Sequence, residues 1–125
     1  LYVESQHHRG RPYIGEYLDE KNGAWLMGDR ERSRYYNHST FNDLMITGIA
    51  GLRPQKDGSI VVNPLVPDNK WNYFCLDNIM YHRHNITIVY DKDGQRYHLG
   101  KGLMILVDGK IVAKRNDIGK LTYKM

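Results

Sequence analysis

Gly102-Leu103-Met104-Ile105-Leu106-Val107-Asp108-Gly109-Lys110-Ile111-Val112-Ala113-Lys114 decides the fold: two short runs of strand-forming residues joined by an Asp-Gly step. Asp-Gly supplies the positive backbone angles that a two-residue hairpin requires. Leu103 to Val107 does not alternate, which predicts burial on both faces, one against a second sheet and the other against a helix or protein beyond this chain. Toward the N-terminus the same punctuation recurs. Asn85 to Tyr90 and Gln95 to Leu99 flank Asp91-Lys92-Asp93-Gly94, and Trp71 to Leu76 and Ile79 to His84 flank Asp77-Asn78. Ser59 to Asn63 follows Asp57-Gly58 and is bounded by Pro64 and Pro67. Toward the C-terminus, the polar tail from Asp117 to Met125 is expected to fray or to add one short edge strand. Short strands at this spacing predict an antiparallel sandwich.

One helix precedes the sheets. In the stretch from Asn37 to Pro54, Thr40 stands as N-cap and Asp43 falls at the third helical position, where a carboxylate suits the positive helix end. Phe41, Leu44, Met45, Ile49 and Leu52 recur at three- and four-residue spacing, and Gly51 and Pro54 close the pattern, which predicts a helix from Phe41 to Leu52. Residues 1–36 show neither period, yet hold Tyr2, Tyr13, Tyr17, Trp25, Tyr35 and Tyr36, which favours functional loops over a disordered tail. The fold class read from the sequence is therefore mainly β: a small antiparallel β-sandwich preceded by one α-helix and an irregular aromatic-rich segment.

At 125 residues and 41% hydrophobic content the chain suits one core, and no apolar run approaches the roughly 20 residues that span a bilayer. The first residue is Leu1 and no basic-then-apolar leader follows, so the chain is read as a piece of a longer one. The compartment stays open; a signal peptide upstream would send the protein to the periplasm or outside the cell. The formal charge is +4, but basic residues are scattered, and Asp29 and Glu31 dilute the cluster of Arg30, Arg32 and Arg34, as in a solvated surface. Cys75, alone in the apolar run from Tyr73 to Leu76, reads as a buried, inert thiol.

Glu16 is the carboxylate to single out, set among Tyr13, Gly15 and Tyr17. Sugar-cleaving sites need carboxylates to move protons and aromatic faces to stack on pyranose rings, although a Glu beside tyrosines also serves as a surface residue or a partner for Arg. His7 with His8, His38, and His82 with His84 lack a carboxylate or cysteine at ligand spacing, so no metal or other cofactor is expected. Asn37-His38-Ser39 and Asn85-Ile86-Thr87 satisfy the glycosylation pattern, with structural roles for both asparagines as the alternative. No nucleophile elbow or phosphate-binding glycine pattern occurs. Basic residues among tyrosines leave single-stranded nucleic acid as a competing partner, set aside because the charge is dispersed.

The segment from Tyr13 to Gly23 resembles the catalytic-glutamate segment of (α/α)6-barrel glycoside hydrolases related to family 63 and the mannosylglycerate hydrolase-like group. Tyr36-Asn37-His38-Ser39-Thr40-Phe41 and the helix behind it resemble the last barrel helix. Ser59 to Pro67 with Trp71-Asn72-Tyr73-Phe74 is similar to the sandwich appended after the barrel in many bacterial members. Relatives often have Pro and Thr where this chain has Glu20 and Asn22. The resemblance implies that residues 1–54 end the catalytic barrel and residues 55–125 form an accessory β-sandwich. It implies an inverting hydrolase acting on an O-glycosidic bond, with Glu16 as general base and the general acid on a barrel loop upstream, the pair roughly 6.5–9.5 Å apart. Tyr13, Tyr17 and Trp25 become stacking candidates and His38 a residue of the pocket floor. Arg9 and Arg11 become candidates for a sugar hydroxyl or carboxylate. The partners implied are a carbohydrate substrate and the N-terminal barrel of the same enzyme, with no nucleic acid, no membrane span and self-association possible through an exposed helix face. By itself the chain would be inactive. A non-catalytic carbohydrate-binding or structural sandwich is the alternative.

Overall fold

The structure, a computed structural model, describes residues 4, 7–13, 18–26, 40–67 and 70–125. The chain divides into two compact units, Leu1–Phe41 and Asn42–Met125. In the second, the Asp108-Gly109 hairpin forms as read, with both turn residues at positive φ (48° and 77°). It joins β7 (Gly102–Val107) to β8 (Lys110–Arg115). With β5 (Tyr73–Tyr81) and β6 (His84–Asp91) these make a four-stranded antiparallel sheet in the order β5-β6-β7-β8. A three-stranded sheet, β3 (Leu52–Pro54), β4 (Ile60–Val62) and β9 (Leu121–Tyr123), supplies the other layer, with β4 central. The fold is thus mainly β, a small antiparallel sandwich, and the tail contributes the short edge strand β9.

The inter-sheet core follows from strand alternation. Ile60 and Val62 meet Ile86, Ile88, Leu103 and Ile105, all with no exposed surface, and each such side chain contributes roughly 1.5–3 kcal/mol by burial. Leu103 to Leu106 is buried on both faces, as its unbroken apolar run predicts. The second face is covered from within the unit, however: Met104 and Leu106 pack with Val89 beneath Tyr97, a residue of the β6–β7 loop.

Two expected strand boundaries are corrected. Asp77-Asn78 is a bulge inside β5, and the turn lies at His82-Arg83, both at positive φ (47° and 70°). Asp77 and Asn78 hold the neighbouring strand instead: Thr87 Oγ1 donates to the Asp77 carboxylate at 2.6 Å, and Asn85 Nδ2 donates to Asn78 Oδ1 at 2.8 Å. Gln95 to Leu99 forms no strand. Residues 92–101 are a loop held by Asp91, whose carboxylate accepts the N–H groups of Gly94 (3.0 Å), Arg96 (2.9 Å) and Tyr97 (2.8 Å).

The expected helix is also shorter and wider. α1 covers Thr40–Asp43 and continues as a π-helical turn over Leu44–Ile49. Ala50 N–H reaches the Met45 carbonyl at 2.9 Å and Thr47 Oγ1 donates to the Asp43 carbonyl at 2.6 Å. Ile46, Thr47, Gly48 and Ile49 are weak helix formers, which suits the departure. Gly51 (φ +76°) ends the element as predicted, but Leu52 then enters β3 and does not extend the helix. A Cβ at Gly51 would collide with the Asn63 carbonyl, so the close passage of the chain demands glycine there. Ile46 and Ile49 pack on the inter-sheet core, while Leu44 is 49% exposed. No helix among the described residues is long and apolar enough to cross a membrane.

Candidate functional site

In the first unit, β1 (His7–His8) pairs with β2 (Arg11–Pro12) around Arg9-Gly10, both at positive φ. A second tight turn spans residues 19–24. The Asp19 carboxylate accepts the N–H groups of Lys21 (2.9 Å) and Asn22 (3.1 Å), and Asn22 Oδ1 accepts that of Ala24 (2.8 Å). Asn22, a departure from the segment this stretch resembles, is therefore a residue that closes the turn. The closure sets Leu18 opposite Trp25 in an antiparallel bridge.

Tyr13 and Trp25 are brought together, edge to face at 5.3 Å and 72°, and His8 lies 5.2 Å from Tyr13 on its other contact. Tyr13 is 8% exposed, so much of its ring surface serves this cluster and fixes the indole. Half-buried Trp25 lines a cavity of about 310 Å³ with Glu4, His7, His8 and Asn22. A carboxylate, two imidazoles, an amide and an indole can pair with hydroxyl groups and stack on a sugar ring. The histidine pair, read from the sequence as a weak metal candidate, stands here as cavity lining. Arg9 and Arg11 are exposed on the same hairpin. Glu16, Tyr17 and His38 lie outside the described residues, as do Arg30, Arg32, Arg34 and the first sequon at Asn37.

The second unit holds features the sequence reading placed differently. Cys75 is exposed, because alternation along β5 turns Phe74 and Leu76 inward and the thiol outward. Partial burial and then the Asp77 charge push that thiol up, so it stays protonated at neutral pH. His82 sits in the β5–β6 turn against Tyr81, and His84 Nδ1 lies 2.7 Å from Asp108 Oδ2. That contact, then the Asn85 N–H, holds the Asp108 carboxyl below the usual range. Among the described residues no group of three or more His, Cys, Asp or Glu gathers as a metal site. Asn85 and Thr87 of the second sequon are both engaged by the β5 bulge, in line with the structural alternative.

A larger cavity of about 910 Å³ lies in the second unit, where Trp71 and Asn72 meet the two ends of the β6–β7 loop and the β8–β9 turn. In the sequence Trp71 stands, with Tyr73, among the sandwich aromatics on which the carbohydrate-binding alternative rests; the loop residues around it carry no recognisable motif.

Residues 52–113 match the family described as Glycosyl hydrolase family 65, C-terminal domain. A solved structure named Sialidase is 65% identical and superposes with a TM-score of 0.86 over 97% of this chain. The chain spans only 11% of that protein's length. These likenesses support a glycoside hydrolase C-terminal domain of the family 65 type, and not the family 63 group that the Glu16 segment resembles.

Proposed function

We propose that this chain is the C-terminal part of a glycoside hydrolase that cleaves an O-glycosidic bond with inversion, its N-terminal residues ending a catalytic barrel and the sandwich, which begins at β3, forming an accessory domain. The observation that carries the reading is the 65% identity to the solved Sialidase across 97% of this chain, with a glycoside hydrolase C-terminal match over residues 52–113. The (α/α)6 barrel and the role of Glu16 are inferred from the resemblance of the segment from Tyr13 to Gly23.

In this mechanism Glu16 removes a proton from the attacking water while a carboxylic acid on an upstream loop protonates the leaving oxygen. Trp25, fixed by Tyr13, is the stacking candidate for a pyranose ring, and Tyr17 and His38 are the further substrate-binding candidates that the resemblance supplies. The isolated chain lacks the acid and is inactive, because paired catalytic groups act as a unit. The name Sialidase, carried by the solved relative, makes sialosides the first substrate class to try. It also raises a second reading, since sialidases include enzymes that retain configuration through a tyrosine nucleophile.

The test uses the full-length enzyme. Glu16→Gln should lower kcat by about 10²–10⁴-fold with unchanged circular dichroism, and the first product seen by NMR should carry inverted configuration. Retained activity would remove Glu16 from the mechanism, and a retained anomer would replace inversion with the tyrosine reading.

A further inference from the structure

We propose that the cavity at Trp71 is a carbohydrate site, a groove on the sandwich that binds a neutral oligosaccharide. Trp71 is 41% exposed, yet it is not loose. Its ring meets Phe74 edge to face at 6.5 Å, and Phe74 in turn packs on Tyr90 at 5.7 Å, both of them buried. The indole thus rests against one core ring, Phe74, which Tyr90 backs in turn, and an exposed aromatic held this way is a stacking platform for the C–H face of a sugar.

The rim is polar and ordered. The Lys92 N–H donates to the Asn72 carbonyl at 2.8 Å, tying the loop to the residue after the platform. The loop's interior is clamped by Asp91, and the facing turn by Arg115, which donates to the Asp117 carboxylate at 2.9 Å and to the Lys120 carbonyl at 2.6 Å. Lys92, Lys101, Asp93 and Asp117 give the cavity both signs of charge, with Asp117 paired to Arg115 beside it. A groove of mixed charge presents no single-sign field to an anionic sugar, and its ammonium, carboxylate and amide groups match the mixed donors and acceptors of hydroxyls. At about 910 Å³ the space lies in the upper range of small-ligand sites, enough for more than one ring.

The test is a titration of the isotope-labelled 125-residue chain, followed by NMR, with maltohexaose, xylohexaose and sialyllactose in turn. One of the two neutral sugars should shift the Trp71 indole N–H and the amides of Asn72, Asp93 and Lys101, with millimolar affinity. Trp71→Ala should weaken that binding at least about tenfold, Trp71→Phe should restore part of it, and Trp25→Phe should leave it unchanged. Should Trp71→Ala fail to fold, Lys101→Ala and Asn72→Ala probe the rim, each with an expected loss of a few fold. Absence of groove shifts with both neutral sugars, preference for sialyllactose, or shifts confined to residues 4–26 would each overturn the proposal. Glu16→Gln should not alter this binding, so the groove and the catalytic reading stand or fall separately.

Discussion

Asp91→Asn is the most informative single change in the sandwich. Asp91 is 1% exposed at the end of β6, and its two oxygens accept three backbone N–H groups of the following loop. Burial alone would raise its carboxyl pKa, but the bonds from Tyr97, Arg96 and Gly94 outweigh burial and hold it below the usual carboxylate range. A hydrogen bond to a charged group is worth about 1.5–3 kcal/mol. Asparagine keeps the shape but turns an NH2 toward a donor, so one bond is lost and the others weaken to neutral strength. Since the three share one side chain and the loop can rehydrate in part, the net loss is about 2–3 kcal/mol. With a urea slope near 1 kcal/mol/M for a small domain, the midpoint should fall by roughly 2–3 M. The assay is urea unfolding read by Trp71 fluorescence in a Trp25→Phe background, so that the second unit alone is observed. The sign with pH follows from the lowered folded pKa. The stabilisation is fully present above the unfolded value of about 3.9 and is lost as pH falls through the folded value, so parent and variant should converge in acid. A change within about 0.5 kcal/mol, or a gap that stays constant from neutral pH into acid, would refute the reasoning.

Two further changes test the joints of the sandwich. Gly102→Ala puts a Cβ onto the Arg115 carbonyl oxygen and the Asn116 Cα at a backbone angle of +103°, and should lower Tm by more than about 10 °C; a near-parental melting curve would mean that the β7–β8 approach is looser than described. The Tyr81 hydroxyl accepts the Gln55 N–H at 2.8 Å and donates to the Ser59 carbonyl at 3.0 Å, joining the end of β5 to the β3–β4 turn. Tyr81→Phe should therefore cost about 1–2 kcal/mol in urea unfolding with an unchanged slope, and a neutral result would show that water replaces both bonds.

What could be read from the sequence depended on whether the deciding interaction was local. Asp108-Gly109 announced its turn because the positive angles are a property of those two residues, and Leu103 to Val107 announced double burial through composition alone. Asp77-Asn78 looked equally like a turn. It is a bulge because its side chains bond Thr87 and Asn85 on the next strand, and His82-Arg83, poor in turn chemistry, accepts the left-handed angles that the register of β5 against β6 imposes. The helix was misjudged at its end for a similar reason: Leu52 fits a helical stripe, but pairing with Val62 places it in a sheet. Cys75 followed the alternation of its strand, which a run of apolar letters hid. In the first unit, Tyr13 and Trp25 were legible as aromatic candidates, yet their contact arises from two separate turns, at Arg9-Gly10 and at residues 19–24. Of the Trp71 groove only the aromatic was legible, because three separate connections build the rest.

The loop after Asp91 shows how fold stability and the groove are joined. Residues 92–101 have no strand pairing, so their order rests on the Asp91 carboxylate, on Tyr97 over Met104 and Leu106, and on Arg96, whose guanidinium lies 4.7 Å from the centre of the Tyr73 ring. Each of these anchors holds the middle of the loop, while Lys92, Asp93 and Lys101 at its ends face the cavity. Ordering of the groove wall is therefore completed when the sandwich folds, and a ligand does not have to supply it again. Releasing the middle should then weaken sugar binding even where the domain remains folded, although Asp91 itself does not line the cavity. A variant at Asp91 that lost stability and kept full affinity would show that the ends of the loop hold their positions alone, and that the wall owes its order to Asn72 and the β8–β9 turn instead.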